Sequence, residues 1–186
     1  LLPHGEGRLL TNPLRGPAVA QRQVYTIGYE GADLGPFLAK LTSAGIRQVI
    51  DVRELPLSRK RGFSKSALAA ALAESGIQYL HLRDLGDPKP GREAARRGDH
   101  NSFLRIYKRH LAGACAQAAF AEAIRQAAAV RSCLLCFERD HDGCHRSIVA
   151  DAMTAATGIG VTHLRIDPPA RHTARSSDEH AATHIW

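Results

Sequence analysis

Apolar residues fall along the chain in two alternating patterns. Short runs rich in β-branched residues, "VYTIG" at 24–28, "RQVIDV" at 47–52, "IQYLHL" at 77–82, "SCLLCF" at 132–137 and "GVTHLRI" at 160–166, have the length and composition of strands. The intervals between them carry helical patterns. "DLGPFLAKLTSAG" sets Phe37, Leu38 and Leu41 on one face, with Asp33 as a cap and Gly45 as a stop. "SKSALAAALAESG" runs in the same way from Ser64 to Gly76. "SFLRIYKRHLAG" and "CAQAAFAEAIRQAAAV" predict two helices before the fourth strand, and "HRSIVADAMTAATG" predicts one ending at Gly158. This alternation predicts an α/β protein with a Rossmann-like three-layer fold, a mostly parallel sheet of about five strands covered by helices on both faces. The chain has no internal repeat, which argues against a solenoid.

Residues 1–22 and 167–186 show no sustained period and read as tails around a single α/β domain at 23–166. The second tail's His172, His180 and His184 read as solvated scatter. A length of 186 residues suits one compact domain, and no apolar run approaches a membrane span, so no membrane partner is expected. The net charge of +7 favours an anionic partner: a small molecule, a nucleotide or nucleic acid. Cys115, Cys133, Cys136 and Cys144 fall within one third of the chain, unlike a secreted disulfide framework, and "LLPHGEGRLL" lacks the features of a signal peptide. A reduced, cytoplasmic protein is the expectation.

In an open parallel sheet, ligands collect at the carboxyl ends of the strands, where loops and helix N-termini converge. The first predicted strand ends in Gly28, Tyr29, Glu30 and Gly31. The second ends in Asp51 and Arg53, followed by Ser58, Arg59, Lys60 and Arg61. His81 ends the third; Cys136, Glu138 and the Cys144-His145-Arg146 step end the fourth. All are therefore expected at one edge of the sheet. "GYEG" lacks the glycine spacing of a dinucleotide loop. Asp51 either takes part in chemistry or pairs with Arg53 as scaffold. The basic loop "PLSRKRGFSKSAL" reads as an anion site at the helix start near Ser64, against the alternative of a solvated charged loop.

Cys133-x2-Cys136 with Cys144-His145 invites a zinc reading. A strand over 132–137 points Cys133 and Cys136 to opposite faces, which leaves Cys133 as a buried apolar residue. No cofactor or metal is expected; zinc held by Cys136, Cys144, His145 and Glu138 stays open as an alternative. Cys144 opens a helix beside Arg146, a setting that stabilises a thiolate. Rhodaneses and thiol phosphatases also place a cysteine loop between strand and helix. Here Cys136 lies ten residues before Arg146 and Cys144 lies close to it, so neither spacing matches an anion cradle of about six residues.

Together, "TIGYEG", "VIDVRELPLSR", "FSKSALAAALAESGIQYLHLRDLG", "FLRIYKRHL" and "LLCFERDHDGCHRSIVADAM" resemble the domain of unknown function 488 family over about residues 24–166. The resemblance implies a cytoplasmic α/β domain. It marks Gly28, Asp51 with Arg53, Ser58 with Arg59, His81, Gly86, Glu138 and Cys144-His145-Arg146 as characteristic positions, and it implies no settled reaction. Tyr29-Glu30 stand where many members have a His-Ser pair.

The expected function is an enzyme, a hydrolase or group transferase, acting on an anionic phosphorylated or nucleic-acid-derived ligand. Cys144, His145, Glu138, Asp51 and His81 are its candidate catalytic residues. Gly28, Tyr29, Arg53, Ser58, Arg59 and Arg146 are its candidate ligand-binding residues. The alternatives are a non-catalytic nucleic-acid-binding module and a rhodanese-like or thiol-phosphatase-like enzyme using Cys144.

Overall fold

The computed structural model describes residues 23–166; both segments read from the sequence as tails, with the three histidines of the second, lie outside the described residues. The elements are β1 (Gln23–Gly28), α1 (Leu34–Ser43), β2 (Gln48–Asp51), α2 (Lys65–Glu74), β3 (Gln78–His81), α3 (Lys89–Arg96), α4 (His100–Leu111), α5 (Ala114–Ala129), β4 (Ser132–Cys136), α6 (His145–Thr157) and β5 (Gly160–Leu164). A short 3-10 turn, Arg83–Leu85, joins β3 to α3. Four strands lie within their predicted apolar runs, and β1 begins one residue earlier, at Gln23. All pairings are parallel, in the order β3-β2-β4-β1-β5. α3 was not legible in the pattern: "KPGREAAR" contains a proline and a glycine, and only Gly91 and Ala94 face inward. Its proline falls in the first turn, where the missing N–H costs nothing.

The strand order determines which face each helix covers. From β1 to β2 and on to β3 the chain moves towards one edge of the sheet; from β3 to β4 and on to β5 it moves back. Right-handed crossovers then place α1 and α2 on one face and the later helices on the other. The two cores follow this division. Phe37 and Leu41 of α1 and Leu68 and Leu72 of α2 pack with Ile27, Val49, Cys133 and Leu135. On the other face, Phe103 and Tyr107 of α4, Ala123 and Ala127 of α5, and Val149, Ala150 and Met153 of α6 pack with Val24, Ile50, Val52 and Leu134. Every residue of β2 and β4 is buried, as two-sided coverage requires.

β4 lies between β2 and β1. The chain leaves both of those strands towards the α1/α2 face, and leaves β4 towards the opposite one. The carboxyl end of β4 is thus the point where the connections diverge, the place where open α/β sheets form a crevice. Two predicted caps behave differently from expectation. Asp33 and Ser64 occupy the N-cap positions of α1 and α2 without making a capping bond. Asp33 pairs with Lys60 at 3.1 Å, and the Ser64 hydroxyl donates to the Ser58 carbonyl at 3.1 Å, so both tie down the basic loop instead. Among the described residues, no helix is long and apolar enough to cross a membrane.

Candidate functional site

At the carboxyl end of β4, four side chains of different chemistry converge. Cys136 is the last residue of β4, Glu138 follows it, Cys144 is the N-cap of α6 and His145 is the first residue of that helix. One donor atom from each lies within 4.8 Å of all the others. Glu138 Oε2 accepts from the Cys136 thiol at 2.8 Å and from the Cys144 thiol at 3.1 Å. His145 Nδ1 lies 3.6 Å from the Cys136 sulfur and 3.9 Å from the Cys144 sulfur. The other ring nitrogen, Nε2, is 2.8 Å from the main-chain oxygen of Val52, and because a carbonyl only accepts, Nε2 carries a proton. Both cysteines and the histidine are buried, whereas Glu138 is an exposed residue whose carboxylate turns inward to the two thiols.

Burial and charge pull on these groups in opposite directions. Burial works to raise the Cys144 pKa, but its hydrogen bond with Cys136 and the charge and hydrogen bond of His145 outweigh it, and the thiol moves down. Burial works to lower His145, and the Cys144 charge with its hydrogen bond, the Glu138 charge and the Val52 carbonyl together hold it up at about 9. Cys136 is pushed well up, first by burial and then by Cys144 and Glu138. Glu138 is lowered although burial opposes this, because both thiols donate to it and His145 lends positive charge. Proton affinity is therefore uneven across the cluster: Cys144 releases its proton before Cys136 does.

The loop that carries Glu138 depends on two neighbours. Gly28 lies opposite Cys136 in the β1–β4 register, and a Cβ on it would lie 1.7 Å from the Glu138 main-chain oxygen. Only glycine lets the loop cross the end of β1 there, where Glu30 N–H also donates to the Phe137 oxygen at 2.9 Å. Arg146, fully buried, donates to the main-chain oxygens of Glu138 and Arg139. Its guanidinium braces this loop from inside the protein.

Asp51, Arg53, Tyr29 and His81, predicted at the same edge, form a separate group. Asp51 accepts from Arg53 at 2.8 Å and 2.5 Å and from the Tyr79 hydroxyl at 2.6 Å. The remaining reach of Arg53 goes to the Tyr29 hydroxyl at 2.9 Å and the Phe63 carbonyl at 3.0 Å. Tyr29 stacks on Phe63 with ring centroids 4.4 Å apart. His81 Nε2 donates to the Arg53 carbonyl at 2.8 Å. Burial alone would lower the Arg53 pKa, but the hydrogen bond and charge of Asp51 raise it. Tyr29 and Phe63 belong to the core on the α1/α2 face, whereas Val52, Tyr107 and the α6 residues belong to the core on the other. Strand alternation thus divides the predicted residues between the two faces, with the Val52 carbonyl as their meeting point. Arg59 is exposed and Ser58 partly so; the Ser58 hydroxyl accepts from Lys60 N–H at 3.1 Å, and the loop makes no hydrogen bond to the cysteine cluster.

A family model, Domain of unknown function DUF488, matches residues 33–153, from the start of α1 into α6. The chain belongs to the DUF488 family. The match includes Glu138, both clustered cysteines and His145, but not Gly28. No curated protein and no solved structure shows a match. For this DUF488 domain the site's chemistry therefore has to come from its own geometry.

Two further residues belong beside the cluster, and neither stood out in the sequence. Tyr107 packs its ring 5.4 Å from that of His145 and donates its hydroxyl to the Leu85 carbonyl at 2.7 Å. Asp87 is 6% exposed, and its Oδ1 has no hydrogen-bond partner among the described residues. Burial raises the Asp87 pKa to about 6; the His145 charge opposes this, while those of Glu138 and Cys144 add to it, so the carboxyl lies within electrostatic reach of all three. The available signal was "GDPKPG": a Cβ on Gly86 would lie 2.1 Å from the Glu54 main chain, and one on Gly91 would lie 2.0 Å from Asp87 Oδ1. Gly91 makes room for the acid, and Gly86 for the chain at Glu54. The cluster thus combines two thiols of different acidity, an imidazole with one ring nitrogen fixed, and a carboxylate from an exposed residue, a set suited to proton transfer, nucleophilic attack or metal ligation.

Proposed function

We propose that this DUF488 protein is an enzyme, a hydrolase or group transferase, acting at the carboxyl end of β4 on an anionic phosphorylated or nucleic-acid-derived ligand. One observation carries this reading: Cys136, Glu138, Cys144 and His145 bring their donor atoms within 4.8 Å at the divergence point of the sheet, and Glu138 is the exposed residue among them. Glu138 is the group that meets substrate and exchanges a proton with it. His145 is a positioning residue that balances negative charge from below. The net charge of +7 and the exposed Arg59, Arg61 and Lys65 of the loop after β2 favour an anionic ligand.

The test is turnover of a panel of phosphomonoesters, phosphodiesters and nucleotides by the full chain and by Glu138→Gln. A loss of at least about 100-fold in kcat for a variant that melts like the parent supports the reading. No turnover, combined with salt-sensitive binding of DNA or RNA that is indifferent to Glu138→Gln and Cys144→Ser, means a non-catalytic module instead.

A second reading makes Cys144 a nucleophile, as in rhodanese-like or thiol-phosphatase-like chemistry. It is favoured by the N-cap position of Cys144 on α6, with the imidazole 3.9 Å from its sulfur. Alkylation of Cys144 by iodoacetamide at neutral pH, faster than that of the exposed Cys115, would support it.

A further inference from the structure

We propose that Cys136, Cys144, His145 and Glu138 form a zinc-binding site. Bond lengths of about 2.3 Å to sulfur and about 2.0–2.2 Å to nitrogen or oxygen require tetrahedral ligands to lie about 3.3–3.8 Å apart. The Cys136 sulfur-to-Nδ1 separation of 3.6 Å falls within that spacing, and the Cys144 separation of 3.9 Å lies just above it. The sulfur-to-Oε2 separations of 2.8 Å and 3.1 Å are those of thiol hydrogen bonds, and they lengthen by about 0.5–0.8 Å when zinc replaces the two thiol protons. Glu138 is exposed and free to make that shift.

The second sphere is prepared in the same sense. A zinc-bound histidine donates its other ring N–H to a carbonyl or carboxylate, which sets the tautomer and aims the free nitrogen at the metal. His145 does this through Nε2 to the Val52 oxygen at 2.8 Å, which leaves Nδ1, 3.6 Å and 3.9 Å from the two sulfurs, as the nitrogen available to a metal. Asp87 is an independent indication. The residue is 6% exposed, its Oδ1 is buried without a hydrogen-bond partner among the described residues, and it lies within reach of the charges of His145, Glu138 and Cys144. A cation in the cluster supplies the charge this acid lacks. Two thiolates and an imidazole select zinc over magnesium or calcium, which prefer oxygen ligands.

The proposal deepens the hydrolase or transferase reading and rests on it only for its catalytic consequence. Cys136, Cys144 and His145 are buried and fixed, so the exposed Glu138 is the ligand that water or an anionic substrate displaces. It also excludes the thiol reading, because a zinc-bound Cys144 is not a free nucleophile.

The full chain, stripped of metal by a chelator and kept reduced with a phosphine, is titrated with Co²⁺ alone and then with Zn²⁺. The expected result is one Co²⁺ per chain with tetrahedral visible bands and a thiolate-to-cobalt charge-transfer band, all displaced by Zn²⁺. X-ray absorption of the zinc form should show two sulfurs at about 2.3 Å. Cys144→Ser and His145→Ala should bind metal more than about 100-fold more weakly. Glu138→Gln, altered at an exposed side chain and expected to fold normally, should retain cobalt about 10-fold more weakly with a changed visible spectrum. A folded parent chain without the thiolate-to-cobalt band, or with zinc surrounded by nitrogen and oxygen alone, overturns the proposal. A chain that binds cobalt through both thiols yet turns over nothing in the panel keeps the zinc site and loses the enzyme reading. Undiminished turnover by metal-free protein keeps the enzyme reading and overturns the catalytic consequence drawn from the zinc site.

Discussion

His145 Nε2 donates to the main-chain oxygen of Val52 across 2.8 Å, and this bond joins the first residue of α6 to the end of β2. β2 and β4 are neighbours, so the imidazole spans the crevice at the end of β4 and rests against the Tyr107 ring 5.4 Å away. The same contact that seats the helix also orients the ring for chemistry.

Replacing that ring should therefore cost stability as well as function. His145→Ala leaves the Val52 carbonyl without its donor and a void against Tyr107. A loss of about 2–4 kcal/mol is expected in urea unfolding, with unchanged cooperativity. A stability equal to that of the parent would mean that the ring is not packed as described.

Gly28→Ala tests the crossing of two chain segments. The added methyl would lie 1.7 Å from the Glu138 oxygen and 3.0 Å from Arg146 Nη1, so the Glu138 loop has to move. A destabilisation of about 1–3 kcal/mol is expected, with loss of turnover and of cobalt binding. Gly35→Ala is the control: a Cβ there meets nothing within 4 Å, and its position in α1 makes alanine neutral or favourable by up to about 1 kcal/mol.

The Asp51–Arg53 pair supports the fold from the other face. Asp51 is fully buried and Arg53 is 5% exposed, so Asp51→Ala strands a buried guanidinium and should cost about 3–5 kcal/mol by chemical denaturation. Arg53→Lys keeps the charge but loses the two-point contact with Asp51 and the bonds to Tyr29 and Phe63. It should lower Tm while leaving KM unchanged in any active assay. A raised KM with an unchanged Tm would assign Arg53 to the ligand.

Asp87 gives the protein a pH signature. Burial holds its folded pKa at about 6, above the unfolded value of about 3.9, so the folded state binds more protons between those values. Stability from this group is greatest at and below pH 4, falls as pH rises towards 6 and stays low above that. In chelator-treated protein, Asp87→Asn should raise Tm by a few degrees at pH 8 and not at pH 4. A Tm difference independent of pH would show that the carboxyl stays charged in the fold.

How much of this was legible differs between fold and site. Short apolar, β-branched runs and helical patterns located all five strands and five of the six helices, because coverage of both faces of β2 and β4 favours continuous apolar runs there. α3 escaped because its inward face is only Gly91 and Ala94, which carry little hydrophobic signal. The separation of Cys133 from Cys136 was also legible: side-chain alternation places Cys133 in one core, while Leu134 lies in the other and Cys136 at the site.

By itself, then, the sequence determined the α/β class, the strand ends bearing polar chemistry and the candidate set of Cys136, Glu138, Cys144 and His145. Only the tertiary structure decided which candidates meet. Strand order made the end of β4 the divergence point; alternation along β2 sent Asp51 towards one face, while α6, packed on the other, carries His145. Asp87 and Tyr107 enter the site from segments far away in the chain. The physical reason is that periodicity is local, whereas the distance between two strand ends depends on pairing order and helix handedness, which no single segment encodes.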